Sequence, residues 1–352
     1  MSSVLPTSNI KGFPKILLSF APTWWHHYYG MEYSSDYWHD PIARTERWRD
    51  QRRLLFDRFG DVGLGEKDPK PQPVAGDAYG HRFMSAFWGC EVQYVPDQFP
   101  SAIPLPDAHV RMVDIEVPYV EDSLVVRQLY DEARILQEHY GQFEAVINFG
   151  GPLNNAVSVL GGEIYAALKA QPELARGVLQ RMGETVVTVH KKVVCALNKT
   201  PASEVFKKDF GLGNCPVGSI SPRTYQELIL PADLWIRQKF TGKFNLHHCG
   251  LFQQYATVYR PLRPTSLDVG PGTDLRATRA AYPDTPISTY LEVGGLAGIT
   301  RDRLDAMLEK MIEDAAPPNL FPLITVAEAG PEISDETVID LMTARDRIPV
   351  VG

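Results

Sequence analysis

Two α/β folds are distinguished by the stretch ILLSFAPTWW, which runs from Ile16 to Trp25. Its apolar half, residues 16–20, predicts a buried strand. A doubly wound dinucleotide-binding sheet carries Gly-x-Gly-x-x-Gly directly after its first strand, because those glycines let the backbone approach a pyrophosphate. The sequence continues Ala-Pro-Thr-Trp-Trp instead. This favours the other fold that is built from alternating strands and helices, a (β/α)₈ TIM barrel.

Short apolar segments alternate with longer segments of helical period, as expected for parallel strands joined by helices. Apolar residues at three- and four-residue intervals after Pro172 predict one long packed helix. Ser221 and Pro222 predict the start of another, which Pro231 would kink. The active site of such a barrel lies at the carboxyl ends of its strands. The predicted strands are residues 16–20, 144–149, 204–206, 243–247, 265–269, 287–291 and 323–326, with an eighth just before residues 84–89.

Composition and charge exclude several classes of function. The chain has 352 residues, of which 44% are hydrophobic and 22% charged, as in a globular protein with a large core. Its net charge of −8 offers no positive surface to phosphates, so we expect neither nucleic acid nor a membrane as a partner. The N-terminal sequence has no signal-peptide pattern, so we expect a cytoplasmic protein. Four cysteines are too few for a disulfide scaffold, and a functional one is expected to bind metal or act as a thiolate.

The segment from residue 24 to about residue 75 interrupts the alternation and is rich in aromatic residues and histidines. We interpret the chain as one barrel, residues 1–352, with this segment as a cap or lid over the barrel mouth. Most of its rings are expected to pack the cap onto the barrel. A few are expected to line a substrate pocket for a flat or methylated molecule. The residues assigned to that pocket are Trp24, Trp25, His26, His27 and, on a strand, Asn148.

The pair His247 and Cys249 is the most informative for chemistry. In an extended segment both side chains lie on one face, because side chains alternate along a strand. An imidazole and a thiolate together form half of a tetrahedral zinc site. The alternative is a hydrogen-bonded core histidine beside a small buried cysteine. A third ligand is needed, and the candidates are Glu328, which we favour, and Cys215.

Three acidic residues follow or end predicted strands: Asp209, Asp268 and Glu292. A barrel would bring them to one mouth, where they could move protons or orient a cation. Tyr290 lies two residues before Glu292 and shares its face. We assign these four residues as catalytic candidates, although any one of them could instead accept a structural hydrogen bond from a loop.

The order of several segments resembles the uroporphyrinogen decarboxylase superfamily, from about residue 85 to the C-terminus. The segments that carry this resemblance are GPL at 151–153, LGGE at 160–163, QPEL at 171–174, ISPRTY at 220–225, LP at 230–231 and LHHCG at 246–250. The superfamily has the barrel fold and includes porphyrinogen decarboxylases and corrinoid-linked methyltransferases. The decarboxylases hold their carboxylate-rich substrate with an arginine-rich segment after the first strand. Here no arginine precedes Arg44, so the methyltransferase branch is favoured.

In the methyltransferase branch, His-x-Cys on the fifth strand and a later cysteine together bind zinc. His247 and Cys249 match the first part of that pattern, whereas the later stretch, residues 325–330, reads TVAEAG and offers Glu328. The resemblance therefore implies zinc, and a separate corrinoid (cobalamin) protein as partner. The methyl group would come from or go to a small substrate, for example an aromatic O-methyl compound, or a thiol. Two alternatives are a lyase for a small carboxylated substrate, in which Asp268 or Glu292 moves protons, and a non-catalytic ligand-binding barrel.

Overall fold

A computed structural model describes residues 13–349 of the chain. Its ten strands are β1 (Lys15–Phe20), β2 (Val74–Ala75), β3 (Glu91–Gln93), β4 (Ser101–Ile103), β5 (Glu144–Ala145), β6 (Phe210–Gly213), β7 (Phe244–His248), β8 (Ser266–Val269), β9 (Ile287–Tyr290) and β10 (Leu323–Ala329). Six of them form one parallel sheet in the order β1-β10-β9-β8-β7-β6. Consecutive strands along the chain are thus neighbours in space over β6 to β10, as in a βα repeat.

Two further parallel strands extend this sheet toward a barrel. β2 pairs with β5 in parallel, and a parallel bridge from Gly150, just after β5, to Gly213 joins β5 to β6. The pairing therefore runs from β2 through to β1 over eight parallel strands. Within residues 13–349 there is no ladder between β1 and β2, so the fold is TIM-barrel-like without a fully paired sheet. Strands β3 and β4 form a separate antiparallel hairpin.

Helices follow the strands and bury apolar faces against them. The α-helices are α1 (Pro22–Tyr29), α2 (Ser35–His39), α3 (Pro41–Phe59), α4 (Phe83–Phe87), α5 (Ala108–Arg111), α6 (Leu124–Tyr140), α7 (Pro152–Leu160), α8 (Glu163–Ala170), α9 (Pro172–Val189), α10 (Cys195–Leu197), α11 (Ala202–Val205), α12 (Pro222–Thr224), α13 (Leu230–Lys239), α14 (Ala256–Tyr259), α15 (Leu275–Ala281), α16 (Arg301–Ala315) and α17 (Asp335–Thr343). No helix in the described part of the chain is both long enough and apolar enough to cross a membrane.

The long helix that the sequence predicts after Pro172 is confirmed as α9. Pro172 occupies its first turn, where a missing N–H costs nothing. Val178, Met182 and Val186 are almost completely buried along one side. The helix continues into a π-helical turn at His190–Val194, so the apolar stripe extends beyond its α-helical part.

Two strand predictions need correction. Residues 204–206 belong to the end of α11 and the turn after it, and the strand begins later, as β6 at Phe210. A run of three residues does not distinguish strand from helix, and the real strand reads FGLG, in which two glycines conceal the strand pattern. The eighth strand lies at β2, somewhat earlier than expected, and residues 83–87 are helical.

The segment predicted as a cap consists mainly of α1, α2 and α3. Its tryptophans pack rather than face solvent: Trp24 is fully buried and Trp25 is 5% exposed. The Trp24 ring lies 4.1 Å from that of Phe20 at the end of β1. Arg58 fastens α3 to α17 through Asp335 at 2.7 Å, with its guanidinium 4.1 Å from the Tyr28 ring. Aromatic packing therefore holds the segment on the barrel.

Candidate metal centre

Three side chains of types that can bind a metal meet at the carboxyl ends of β6 and β7. In the parallel register Gly213 pairs with His247. Cys215 and Cys249 lie two residues further along, just beyond the ends of β6 and β7, while His247 belongs to β7 itself. Cys215, His247 and Cys249 each offer a ligand atom, and all three atoms lie within 4.8 Å of one another.

The contacts inside this cluster are short. His247 Nε2 lies 3.0 Å from Cys249 Sγ, and the Cys249 thiol donates to Cys215 Sγ at 3.2 Å. All three side chains are partly buried, with His247 at 20% exposure. Two sulfurs and one imidazole nitrogen form a ligand set that catalytic zinc uses, with a fourth position left for water or substrate. The cluster could therefore hold a metal ion.

Asp268 fixes the orientation of His247. The two residues are partners in the register of β7 and β8, and Asp268 Oδ2 accepts from His247 Nδ1 at 2.8 Å. Because Nδ1 carries this proton, Nε2 is left to face the sulfurs. The Tyr290 hydroxyl donates to the same carboxylate oxygen at 3.3 Å, and its ring meets the His247 ring edge-on at 5.5 Å. Asp268 and Tyr290 thus support the ligands from behind.

The protonation of the cluster is uneven. The pKa of Cys215 is lowered, mainly by the hydrogen bond from Cys249 and further by His247. Burial acts in the opposite direction and is outweighed. The same sulfur–sulfur contact, together with burial, raises the pKa of Cys249. Burial disfavours a charged His247, but Asp268 and Cys215 outweigh it and raise the pKa of His247 to about 10. The metal-free cluster therefore favours a Cys215 thiolate, a Cys249 thiol and an imidazolium, and metal binding would release protons.

Glu328, which the sequence analysis favours as the third ligand, lies outside this cluster. Its side chain is exposed, and its backbone has a positive φ of 60°. Its N–H donates to Ser19 Oγ on β1 at 3.1 Å. Among residues 13–349, the group that could hold a metal contains Cys215 in its place. The preference for Glu328 is therefore corrected in favour of the alternative.

The misplaced strand explains why the sequence favours Glu328 over Cys215 as the third ligand. With a strand ending at residue 206, Cys215 would lie far out in a loop. The observed β6 ends at Gly213, so that Cys215 is only two residues beyond its carboxyl end. The asparagine at 154, in the first turn of α7, was not recognised at all. Its side chain hydrogen-bonds Cys215 and lowers the pKa of that thiol as well.

Of the other catalytic candidates, Asp209 lies at the wrong end of the barrel. It precedes β6, and its Oδ1 accepts from the Lys243 N–H at 3.1 Å just before β7 begins. Active sites of this fold lie at the opposite end of the strands, so the position of Asp209 favours a structural role over a catalytic one. Glu292 follows β9 at the same end as the cluster and is exposed.

The predicted substrate-pocket residues are not gathered in one place. Trp24 and Trp25 are covered by neighbouring rings and pack the core. His26 and His27 lie on the exposed side of α1, where His26 Nδ1 is 3.2 Å from the Met31 carbonyl. Asn148 hydrogen-bonds the His81 ring, a partner that sequence patterns did not indicate.

Comparison with known proteins supports the architecture. No family model and no curated protein matches the chain. A solved structure described as a methyltransferase from Methanosarcina mazei is similar, with a TM-score of 0.63 at 15% sequence identity. The likeness covers 97% of this chain and 95% of that one. At this identity it establishes the fold alone, which extends over nearly the whole molecule.

Proposed function

We propose that the protein is a zinc-dependent methyltransferase, which moves a methyl group between a small methylated substrate or a thiol and a separate corrinoid protein. The observation that carries this proposal is the convergence of Cys215, His247 and Cys249 at the carboxyl ends of neighbouring barrel strands. The shared fold with a chain described as a methyltransferase supports it.

The donor set fits zinc better than the other common biological cations. Magnesium and calcium take oxygen ligands, whereas thiolates and imidazole suit zinc. Asp268 adds the outer carboxylate that typically accompanies a zinc-bound histidine. Zinc held there would supply Lewis acidity, which favours the thiolate form of a thiol acceptor or stabilises an oxyanion that leaves the methyl group.

The protein's own residues would prepare the site for this reaction. Asp268 holds His247 with Nε2 toward the sulfurs, and Tyr290 holds Asp268. Cys215 and Cys249 would contribute two negative charges, which match a divalent cation. The cluster lies at the barrel end where the active sites of this fold lie, and its side chains are partly exposed, as access by a small substrate and a corrinoid partner would require.

The transfer itself is a displacement at carbon. In one direction a thiolate sulfur would displace cobalt from the methyl carbon of a methylated corrinoid co-substrate, so that the carbon–sulfur bond forms as the cobalt–carbon bond breaks and cobalt keeps the electron pair. In the other direction the methyl group of the substrate would pass to the reduced corrinoid of the partner, and the phenolate, alkoxide or thiolate would leave with the electron pair.

Metal content and methyl transfer test the proposal together. Purified wild-type protein and the variants Cys215→Ala, Cys249→Ala and Glu328→Ala are assayed for zinc and for methylation of a small thiol by methylcobalamin, followed by the absorbance of cob(I)alamin. We expect both cysteine variants to lose zinc and activity, and Glu328→Ala to keep both. Full zinc content in Cys249→Ala would overturn the proposed site. Zinc without methyl transfer to any thiol or from any methylated donor would overturn the activity alone.

A further inference from the structure

A network of buried polar side chains lies behind the metal-binding cluster. Its five members are each fully or almost fully buried: Asn214, Tyr225, Asp233, His248 and Tyr259. Asn214 directly precedes Cys215, and His248 lies between His247 and Cys249. His247 and His248 are neighbours on β7 and therefore face opposite ways, and His248 is the buried one. Asn214 lies between β6 and the 3-10 turn that begins at Cys215, and its side chain is buried as well. Both ligand-bearing segments therefore reach into the same buried layer.

Hydrogen bonds and ring packing connect the members across the two segments. Asp233 Oδ2 accepts from Asn214 Nδ2 at 2.8 Å and from the Tyr225 hydroxyl at 2.6 Å. On the other segment, His248 Nδ1 lies 2.8 Å from the Tyr259 hydroxyl, and the Tyr259 ring packs against the Tyr225 ring with 4.9 Å between the centroids. The backbone joins the segments too, since the Asn214 N–H donates to the His247 carbonyl at 2.8 Å.

An irregular helix places two of these groups together. Residues on one face of an α-helix recur after about seven positions, yet Tyr225 and Asp233 are eight apart. The π-helical turn at Tyr225–Ile229 adds the extra residue. It occurs beside Pro231, which has no N–H to continue the α-helical pattern. Without this turn, the Tyr225 hydroxyl would point away from Asp233.

Such a network stabilises the core less than apolar packing would. Asn214 Oδ1, Asp233 Oδ1 and His248 Nε2 are buried and have no hydrogen-bond partner in the described structure. Unpaired buried polar atoms destabilise a fold, and apolar side chains of similar size would often be more stable. We therefore expect the network to serve the geometry of the neighbouring residues, Cys215 and Cys249, more than the stability of the fold.

We infer that this buried network positions Cys215 and Cys249 for metal binding, with Asp233 as the central positioning residue. The inference rests on the proposed metal centre. Buried hydrogen bonds hold the side chains of Asn214 and His248. They thereby fix the orientation of the adjacent backbone that carries Cys215 and Cys249. A change in the network would then alter the affinity and geometry of the metal, although no member touches it.

Cobalt(II) binding by the full chain tests this, because cobalt replaces zinc and its absorption reports the number of sulfur ligands and their geometry. Asp233→Leu removes both acceptor contacts, and we expect about 10-fold weaker binding or more, with shifted ligand-field bands. Asp233→Asn keeps one oxygen that can accept from both donors, so it should retain most of the affinity. Asp340→Leu is the matched control, since Asp340 is also a buried carboxylate and bonds Arg301 on α16 at 2.7 Å.

The outcomes separate this inference from the proposed function. Wild-type affinity and spectrum in Asp233→Leu, or an equal loss in Asp340→Leu, would overturn the positioning role and leave the metal centre intact. Should Asp233→Leu not fold, Tyr225→Phe removes a single hydroxyl and decides the question: shifted bands support the role, unchanged bands and affinity overturn it. A wild-type chain that binds cobalt without a sulfur-to-cobalt charge-transfer band would overturn the metal centre itself, and this inference with it.

Discussion

Two regions of the molecule are rich in histidine and aromatic residues, and the structure gives them opposite characters. In the segment predicted as a cap, residues 24–75, the tryptophan rings of residues 24, 25 and 38 are buried, and Trp24 packs against β1. At the ends of β6 to β8 fewer such residues are present. There, however, His247 Nε2 lies 3.0 Å from Cys249 Sγ, which lies 3.2 Å from Cys215 Sγ. A functional site is thus marked by strand ends that bring polar atoms together. Local enrichment in a residue type is a weaker signal.

The largest expected effect lies in the cap. Trp24→Ala removes a fully buried ring and should lower the free energy of unfolding by about 3–5 kcal/mol. Cobalt(II) affinity of the folded variant should stay at the wild-type value, because Trp24 packs and does not bind. Chemical unfolding and metal titration measure the two quantities. Weaker metal binding with unchanged stability would reverse the comparison.

Asp233 differs from Trp24 in its effect on stability. Its carboxyl group is buried beside the proposed metal centre, and this burial is unfavourable for the folded state. Burial raises the pKa of Asp233 to about 7, although Tyr225 and Asn214 donate hydrogen bonds that lower it. In the unfolded chain the carboxyl has its usual pKa of about 3.9. Between these values the folded state holds a proton that the unfolded state has lost, so this group makes stability fall as pH rises through the window.

Asp233→Asn removes that titration. Relative to wild type, the free energy of unfolding of the variant should rise by about 2 kcal/mol between pH 5 and pH 7 and level off above about pH 8. Urea unfolding across this pH range provides the measurement. A constant difference between the two proteins would contradict the account of the buried carboxyl.

A smaller effect is expected at Asp268, and it should appear in metal binding. Asp268→Ala leaves the His247 Nδ1–H without its acceptor, which should weaken zinc or cobalt(II) binding by about 10–100-fold. Stability without metal should fall as well at neutral pH, because the carboxylate is only 19% exposed and favours the charged form of His247, whose pKa it helps to raise to about 10. Competition with a chelator of known affinity gives the number. Unchanged affinity would show that Asp268 does not hold the ligand.

The smallest effect is expected at the other end of the strands. Asp209→Ala removes one hydrogen bond to the Lys243 N–H at an exposed position and should cost about 1 kcal/mol of stability or less. Metal affinity and methyl transfer should equal those of wild type. A loss of activity with normal stability would return Asp209 to the catalytic candidates.

The parts of this account that the sequence could predict depend on regular patterns. Strands β7, β8 and β9 have uninterrupted apolar or alternating residues, and the predicted segments overlap them closely. The approach of His247 to Cys249 follows from their spacing on one strand. The position of Asp268 beside them depends on the register between β7 and β8, which the sequence does not encode locally.

The errors have a common physical origin. Cys215 joins the cluster only because β6 ends at Gly213, and a strand of sequence FGLG has too little side-chain pattern to be located. Glu328 is easy to place near the end of a clear strand, but its backbone has a positive φ, its side chain is exposed, and it does not join the cluster. For Trp24 and Trp25, composition alone could not separate packing from binding.

The central claim is that two sulfurs and one imidazole nitrogen bind one metal ion, and X-ray absorption of the zinc-loaded protein tests it most directly. We predict sulfur scatterers at about 2.3 Å and nitrogen at about 2.0 Å, in the ratio of two cysteines to one histidine with one further light atom. Cys215→Ala, which should be purified without zinc, is loaded with excess zinc for the same measurement, and its sulfur contribution should fall by half. A shell of one sulfur with a carboxylate oxygen, unchanged in Cys215→Ala, would contradict the claim.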